Sequence, residues 1–215
     1  MELFTLAVAG LAAGAIHALS GPDHLAAVTP LSITNRHRAA WIGLLWGLGH
    51  GAGVAVIAAI VFLLRGFLDL DALSLWSERA VGLMLIAVGA WGLRKAFSKW
   101  IHTHDHEHGS ETHTHIHAHN PQRSGHTHRH THASFGMGLL HGVAGTSHIL
   151  GVLPALALPS QAAAVTYLVG YGLGNLLAMG SFAWLIGMAS HRMSKWGARP
   201  FKAALATCSV LSIGI

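Results

Sequence analysis

Two histidines and an aspartate sit inside an apolar run, "LFTLAVAGLAAGAIHALSGPDHLAAVTPLSI", where hydrocarbon is expected. His17, Asp23 and His24 together offer two imidazoles and one carboxylate. That borderline set suits Ni(II), Co(II) or Zn(II) better than Mg(II) or Ca(II), which take oxygen, or Cu(I), which takes sulfur. His17 and His24 are seven residues apart, so an unbroken helix would carry both on one face. The bland reading is that Asp23 only caps a helix and the histidines bond backbone. An aspartate near a bilayer centre costs roughly 2.5–3.5 kcal/mol on insertion scales, which weighs toward a functional role. His50, in "GLLWGLGHGAGV", is a further candidate ligand.

The elements that must position these groups are membrane helices. The chain is 52% hydrophobic and 10% charged, against about 25% charged in soluble domains. A spanning helix needs roughly 20 predominantly apolar residues. Apolar blocks at 3–34, 40–64, 79–97, 134–158, 161–190 and 200–215 predict six spans, the last stopping after sixteen residues. A straight helix over 3–34 would reach about 48 Å, against a hydrocarbon core of about 30 Å. The segment must therefore break, tilt or re-enter. Ser20, Gly21 and Pro22 supply the break: Pro22 lacks an N–H. Ser20 is expected to N-cap a new helix whose third position is Asp23. The carbonyls freed at such a break attract cations, and Asp23 offsets the positive dipole end that follows. Gly43, Gly47 and Gly51 recur every fourth residue, and Gly49 with Gly53 makes another pair, a stripe for close helix packing.

The two halves of the chain look alike. "GAIHALSGPDHLAAVTPL" lies over "GLLHGVAGTSHILGVLPA", pairing His17 with His141, Gly21 with Gly145, His24 with His148 and Pro30 with Pro154. "WGLGHG" similarly resembles "YGLGNL", one residue out of that register, setting His50 against Asn175. Three spans per half make the repeat inverted, a common plan of secondary transporters with the site near the midplane. Chance likeness between Gly/Ala-rich helices is the competing explanation. In the second half Asp23 is replaced by Ser147. His141, His148, Thr146, Ser147 and Asn175 are therefore read as pathway residues; Thr146 and Ser147 offer hydroxyls or only cap a helix. The fold class expected is all-α and integral to the membrane. It comprises six transmembrane helices in two inverted three-helix repeats, residues 1–100 and 134–215, with the first helix of each half broken.

Between the halves, residues 101–133 carry twelve of the nineteen histidines. These are His102, His104, His106, His108, His113, His115, His117, His119, His126, His128, His130 and His132. The composition is polar and low in complexity, so a disordered loop is expected. Alternating His-x-His lets several rings reach one ion, and a plain linker would use Gly, Ser or Glu. The loop is thus expected to bind or buffer metal without itself moving it across a bilayer. Lys and Arg gather in or beside the first, third and fifth connections, placing those in the cytoplasm and both termini outside. The pI near 10 then reflects topology rather than nucleic-acid binding. His37 and His191 lie among these basic residues and are expected to be solvated. The start lacks a basic n-region, which argues against a signal peptide.

With these residues in view, the sequence resembles a known group. "HALSGPDHLAAV" resembles the signature of the nickel/cobalt permeases, including the urease-accessory UreH type and the hydrogenase-accessory HupE/UreJ type. "LGHGAGV" resembles the Leu-Gly-His motif on the next helix of that superfamily. The resemblance implies His17, Asp23, His24 and His50 as metal residues. Two departures stand out. Five residues separate His17 from Asp23, as in the HupE/UreJ pattern, where the nickel/cobalt signature has four; and six spans replace eight. Histidine-rich cytoplasmic loops also occur in the efflux branch, so direction stays open.

The expected function is transport of Ni(II) or Co(II), not catalysis, across the inner (cytoplasmic) membrane. The ion is the substrate, and no organic cofactor is expected. Besides the lipid bilayer, a nickel chaperone or a metalloenzyme-maturation protein is the expected partner. No G-x-x-x-x-G-K-[ST] motif is present, so energy comes from an ion gradient, the membrane potential or trapping. Two other classes compete. A b-type haem protein would use two facing histidines but leaves Asp23 and the loop unexplained. A thiol-redox carrier needs two cysteines, and the chain has Cys208 alone.

Overall fold

The computed structural model describes residues 2–64, 70–98, 101–108, 111–118, 129–144, 154–155, 157–194 and 196–215. Among these, seven α-helices form the body of the protein. They are α1 (Glu2–Ser20), α2 (Pro22–Thr34), α3 (Ala39–Leu64), α4 (Leu70–Ala96), α5 (Arg129–Val143), α6 (Gln161–Ser194) and α7 (Ala198–Gly214); a short 3-10 helix, Arg36–Arg38, joins α2 to α3.

The expected break lies between α1 and α2, but its chemistry differs from the capping pattern. Gly21 occupies the N-cap in an extended conformation with no side-chain cap, and Pro22 opens α2. Proline suits that position, where the missing N–H costs nothing and its φ is already helical. Ser20 does not cap α2: its hydroxyl donates back to the His17 carbonyl at 3.2 Å. A Cβ on Gly21 would collide with the His24 ring and the Asp23 carboxylate, so only glycine lets the two residues close over the turn. The break expected in the second half, around Thr146 and Ser147, lies outside the described residues.

Helix α2 is the hub. His24 and every residue from Ala26 to Ile33 are buried, as expected of a helix surrounded on all sides by protein. One face joins Ala18, Ile42, Trp46, Met179 and Ala183 in the main core, and another meets Val81 and Leu85 of α4. By contrast α1 buries only Gly10, Gly14 and Ala18. Its outer side exposes Phe4, Val8, Leu11 and Ile16, too much apolar surface to stand in water. Three stretches, Glu2–Ser20, Arg36–Ile57 and Gln161–Ser194, are long and apolar enough to cross a membrane. The chain is a multi-pass membrane protein. Six spans were expected; three are found among the described residues, where α5 has 15 residues and α7 has 17.

Two helix pairs pack through glycine. Along α1 and α6, a Cβ on Gly10 or Gly14 would strike the carbonyls of Tyr167 or Tyr171, and one on Gly170 or Gly174 those of Ala7 or Leu11. Along α3 and α5, Gly49 and Gly53 stand in the same relation to Phe135 and Leu139, and Gly138 and Gly142 to Trp46 and His50. Backbone contact of this kind replaces the hydrophobic effect as the force between helices in lipid. Gly43 and Gly47 pack on α6, whereas Gly51 meets nothing and leaves the predicted stripe.

At one end of the bundle the ends of α2, α4 and α6 meet the start of α7. Ser190 donates to the Ile33 carbonyl at 3.0 Å, and Lys202 to that of Ser98 at 3.1 Å. Ile33, Ala96, Phe201 and Leu205 pack beneath them. The first, third and fifth connections thus leave from the same end.

The histidine-rich segment is not wholly irregular. Ile101–His108 (β1) and Glu111–Ala118 (β2) pair antiparallel, and α5 starts at Arg129, inside the segment assigned to the loop. The register sets His102 opposite His117, His104 opposite His115 and His106 opposite His113. The His-x-His alternation has the two-residue period of a strand, so all six positions share one face of the ribbon. His119, His126 and His128 lie outside the described residues; His130 and His132 fall in the first turn of α5.

Candidate metal site

Four helices bring histidine to one place. His17 ends α1, Asp23 and His24 begin α2, His50 lies mid-way along α3, and His141 stands near the end of α5. The ring of His24 is central. Its centroid lies 5.0 Å from His17, 5.1 Å from His50 and 4.9 Å from His141. His17 and His50 are 5.6 Å apart. His24, His50 and His141 are buried, while His17 is half-buried. The helix break makes this possible: α1 delivers His17 along one axis and α2 starts anew with Asp23 and His24 along another.

The ligand atoms sort into two overlapping triads. One nitrogen each from His17, His24 and His50 lie within 4.8 Å of one another, and so do atoms of Asp23, His24 and His141. His24 belongs to both. The first triad is all imidazole; the second is two imidazoles and a carboxylate, a borderline donor set open to first-row transition metals. Asp23 and His141 already touch, Nε2 to Oδ2 at 2.8 Å. The hydrogen shared in that contact must leave before both atoms can face one cation.

The expected ligands His17, Asp23, His24 and His50 are all brought together. His141, read as a pathway residue, stands beside Asp23 as a full member of the cluster. His148, Thr146 and Ser147 lie outside the described residues. Asn175 is buried on α6, and its amide donates to the Gly47 carbonyl at 3.4 Å. Its Oδ1, like the Tyr171 hydroxyl and Trp46 Nε1, has no hydrogen-bond partner among the described residues. Buried polar atoms of this kind call for a polar occupant nearby. Sequence reasoning missed the two aromatic walls. Trp46 stacks on His50 at 5.1 Å with an 8° interplanar angle, and Tyr171 lies 5.7 Å from His17. A signal for both existed, since "WGLGHG" and "YGLGNL" pair Trp46 with Tyr171. Among the basic residues, His37 is on the 3-10 helix and His191 in the last turn of α6, their rings 6.1 Å apart. Both are exposed, in keeping with solvation.

No family model matches the chain, and no solved structure matches it. Curated proteins do. Chloroplast protein FOR GROWTH AND FERTILITY 2 of Arabidopsis thaliana is 34% identical over 215 residues, all of this chain and 55% of that protein. Chloroplast protein FOR GROWTH AND FERTILITY 1 of the same plant is 34% identical over 214 residues, 98% of this chain and 57% of its own length. The chain thus spans about half the length of these two relatives. Urease accessory protein UreH of Bacillus sp. (strain TB-90) is 25% identical over 193 residues, 87% of this chain and 78% of that protein. The chain is a distant homologue of the urease accessory protein UreH and of the two plant chloroplast proteins.

Proposed function

We propose that the protein is a permease for divalent transition-metal ions, Ni(II) or Co(II), and that the ion crosses through the cluster around His24. The observation that carries this reading is the pair of overlapping triads at a helix break. Two sets of donors sharing one ligand let an ion move by exchanging partners, without ever losing all of its protein ligands. His17 and His50 hold the ion in one position, Asp23 and His141 in the other, and His24 in both. Loss of the hydrogen shared by Asp23 and His141 accompanies the second position. The relationship to a protein named for urease accessory function supports nickel, as does the resemblance of "HALSGPDHLAAV" to nickel/cobalt permeases. A nickel chaperone or a metalloenzyme-maturation protein would receive or supply the ion.

The six-helix inverted repeat belongs to this proposal. It is supported by the likeness of the α1–α6 and α3–α5 glycine contacts, which exchange a first helix and a second helix between the halves. The basic connections leaving one end support a cytoplasmic face there, with the histidine-rich segment holding ions on that side. Uptake and efflux use the same site, and the basic residues do not choose between them. The haem reading draws no support from the geometry: His17, His24, His50 and Trp46 crowd within ring-to-ring contact, leaving no slot for a macrocycle.

Radioactive nickel and cobalt flux in cells making the protein tests the proposal. Wild-type chain should move one or both ions, and variants at His17, Asp23 and His24 should fail while still inserting. Flux equal to that of cells lacking the protein would sink it.

A further inference from the structure

A second site lies at the end of the bundle where the odd connections meet, away from the histidine cluster. Arg36 and His37 of the 3-10 helix and His191 and Arg192 of α6 surround a cavity of about 280 Å³. The cavity is built by close packing. Gly187 lets the two elements meet, since a Cβ there would press on Ala39 and on the Arg36 carbonyl. The Ser190 bond to Ile33 fixes α6 against the end of α2. Among the described residues no carboxylate lines the cavity, and none pairs with Arg36 or Arg192. Two permanently charged arginines therefore line the same space, which repels a dication and suits an anion.

The wall has two characters. Trp184 and Met188, on the turns of α6 before His191, make one side apolar, and Trp184 is exposed. Helix α6 has 34 residues and reaches about 51 Å, well beyond a hydrocarbon core of about 30 Å. Centred in a bilayer, such a helix would carry its last turn to headgroup level, with Trp184 about two turns deeper, toward the belt where interfacial aromatics sit. Basic pockets between membrane helices suit phosphate headgroups, and arginine reads phosphate oxygens through paired N–H groups.

We infer that Arg36, His37, His191 and Arg192 form a binding site for a phosphate-bearing anion, with an anionic phospholipid headgroup as its occupant and the acyl chain running past Trp184. Such a ligand would tie the first connection to the end of α6, and so set how the α2–α3 unit sits against α6.

Thermal unfolding of the full chain in mixed micelles tests this. Phosphatidylglycerol should raise Tm above that in phosphatidylcholine alone, because a ligand that binds only the folded state stabilises it. The rise should vanish in R36Q/R192Q and in R192Q alone be smaller. Inorganic phosphate at matched concentration separates the sources. No shift with phosphate assigns the site to the lipid; an equal shift assigns it to free phosphate, and either supports the anion site. Equal lipid shifts in wild type and R36Q/R192Q, or no shift in either, would overturn it. Metal flux does not enter these readouts, so the site and the permease proposal fail separately.

Discussion

The protein keeps histidine in two very different settings. In the core, His17, His24, His50 and His141 come from four helices and meet through tertiary packing. In the hairpin, six histidine positions are paired by nothing more than strand register within eighteen residues of chain. Core donors are few and fixed by backbones that touch at glycine, so each has no substitute. Loop donors are many and local, so each has neighbours that replace it. Fixed donors suit selection and passage of an ion; redundant donors suit holding ions at a range of occupancies.

That contrast predicts a graded series. His24→Ala should have the largest effect, taking binding as well as flux, because it removes a ligand from both triads at once. Flux should fall by well over tenfold, since even outer-sphere changes at metal sites cost about 10–100-fold. Asp23→Asn should come next: it keeps the size of the side chain but removes the charge that offsets the cation. Metal flux measured against equal membrane-inserted protein checks both, and wild-type transport by either variant would break the comparison. Gly21→Ala should follow. The added methyl meets the His24 ring, and overpacking of this kind costs about 1–3 kcal/mol, so both thermal stability and flux should drop. A methyl that left flux untouched would show that the turn does not position His24.

His17→Ala and His141→Ala sharpen the account within the core. Each removes one triad and spares the other, so metal binding at equilibrium should persist in both while flux is lost. Calorimetric titration with Ni(II) alongside flux separates the two quantities. Deleting 101–128, ahead of α5, should have the smallest effect. Insertion and flux at saturating metal should be kept, and only the metal concentration needed for half-maximal flux should rise. A chain that failed to insert without the loop would contradict the division of roles.

The gathering of His17, Asp23 and His24 was legible in the sequence because the break and these side chains fall within eight residues. Length showed that no upright straight helix fits 3–34, and Gly21 with Pro22 showed where the break falls. Convergence of His50 and His141 on His24 was not legible in that way. It depends on which faces α3 and α5 turn to α2, and only the "WGLGHG"–"YGLGNL" and "HALSGPDH"–"HGVAGTSH" likenesses hinted at it. Ser20 misled because S-x-x-D matches a capping box by letter, whereas Gly21 and Pro22 already satisfy the helix start by backbone geometry. In the histidine-rich segment composition argued for disorder, and the two-residue period that the strand pairing follows was not weighed against it.

The role of His24 as the ligand common to both positions is tested most directly by nickel flux into proteoliposomes holding equal amounts of wild-type, His17→Ala, His141→Ala and His24→Ala chains, with Ni(II) binding measured on the same preparations. The account predicts that His24→Ala loses flux and binding together, while His17→Ala and His141→Ala lose flux and keep binding. Retained binding and flux in His24→Ala would contradict it.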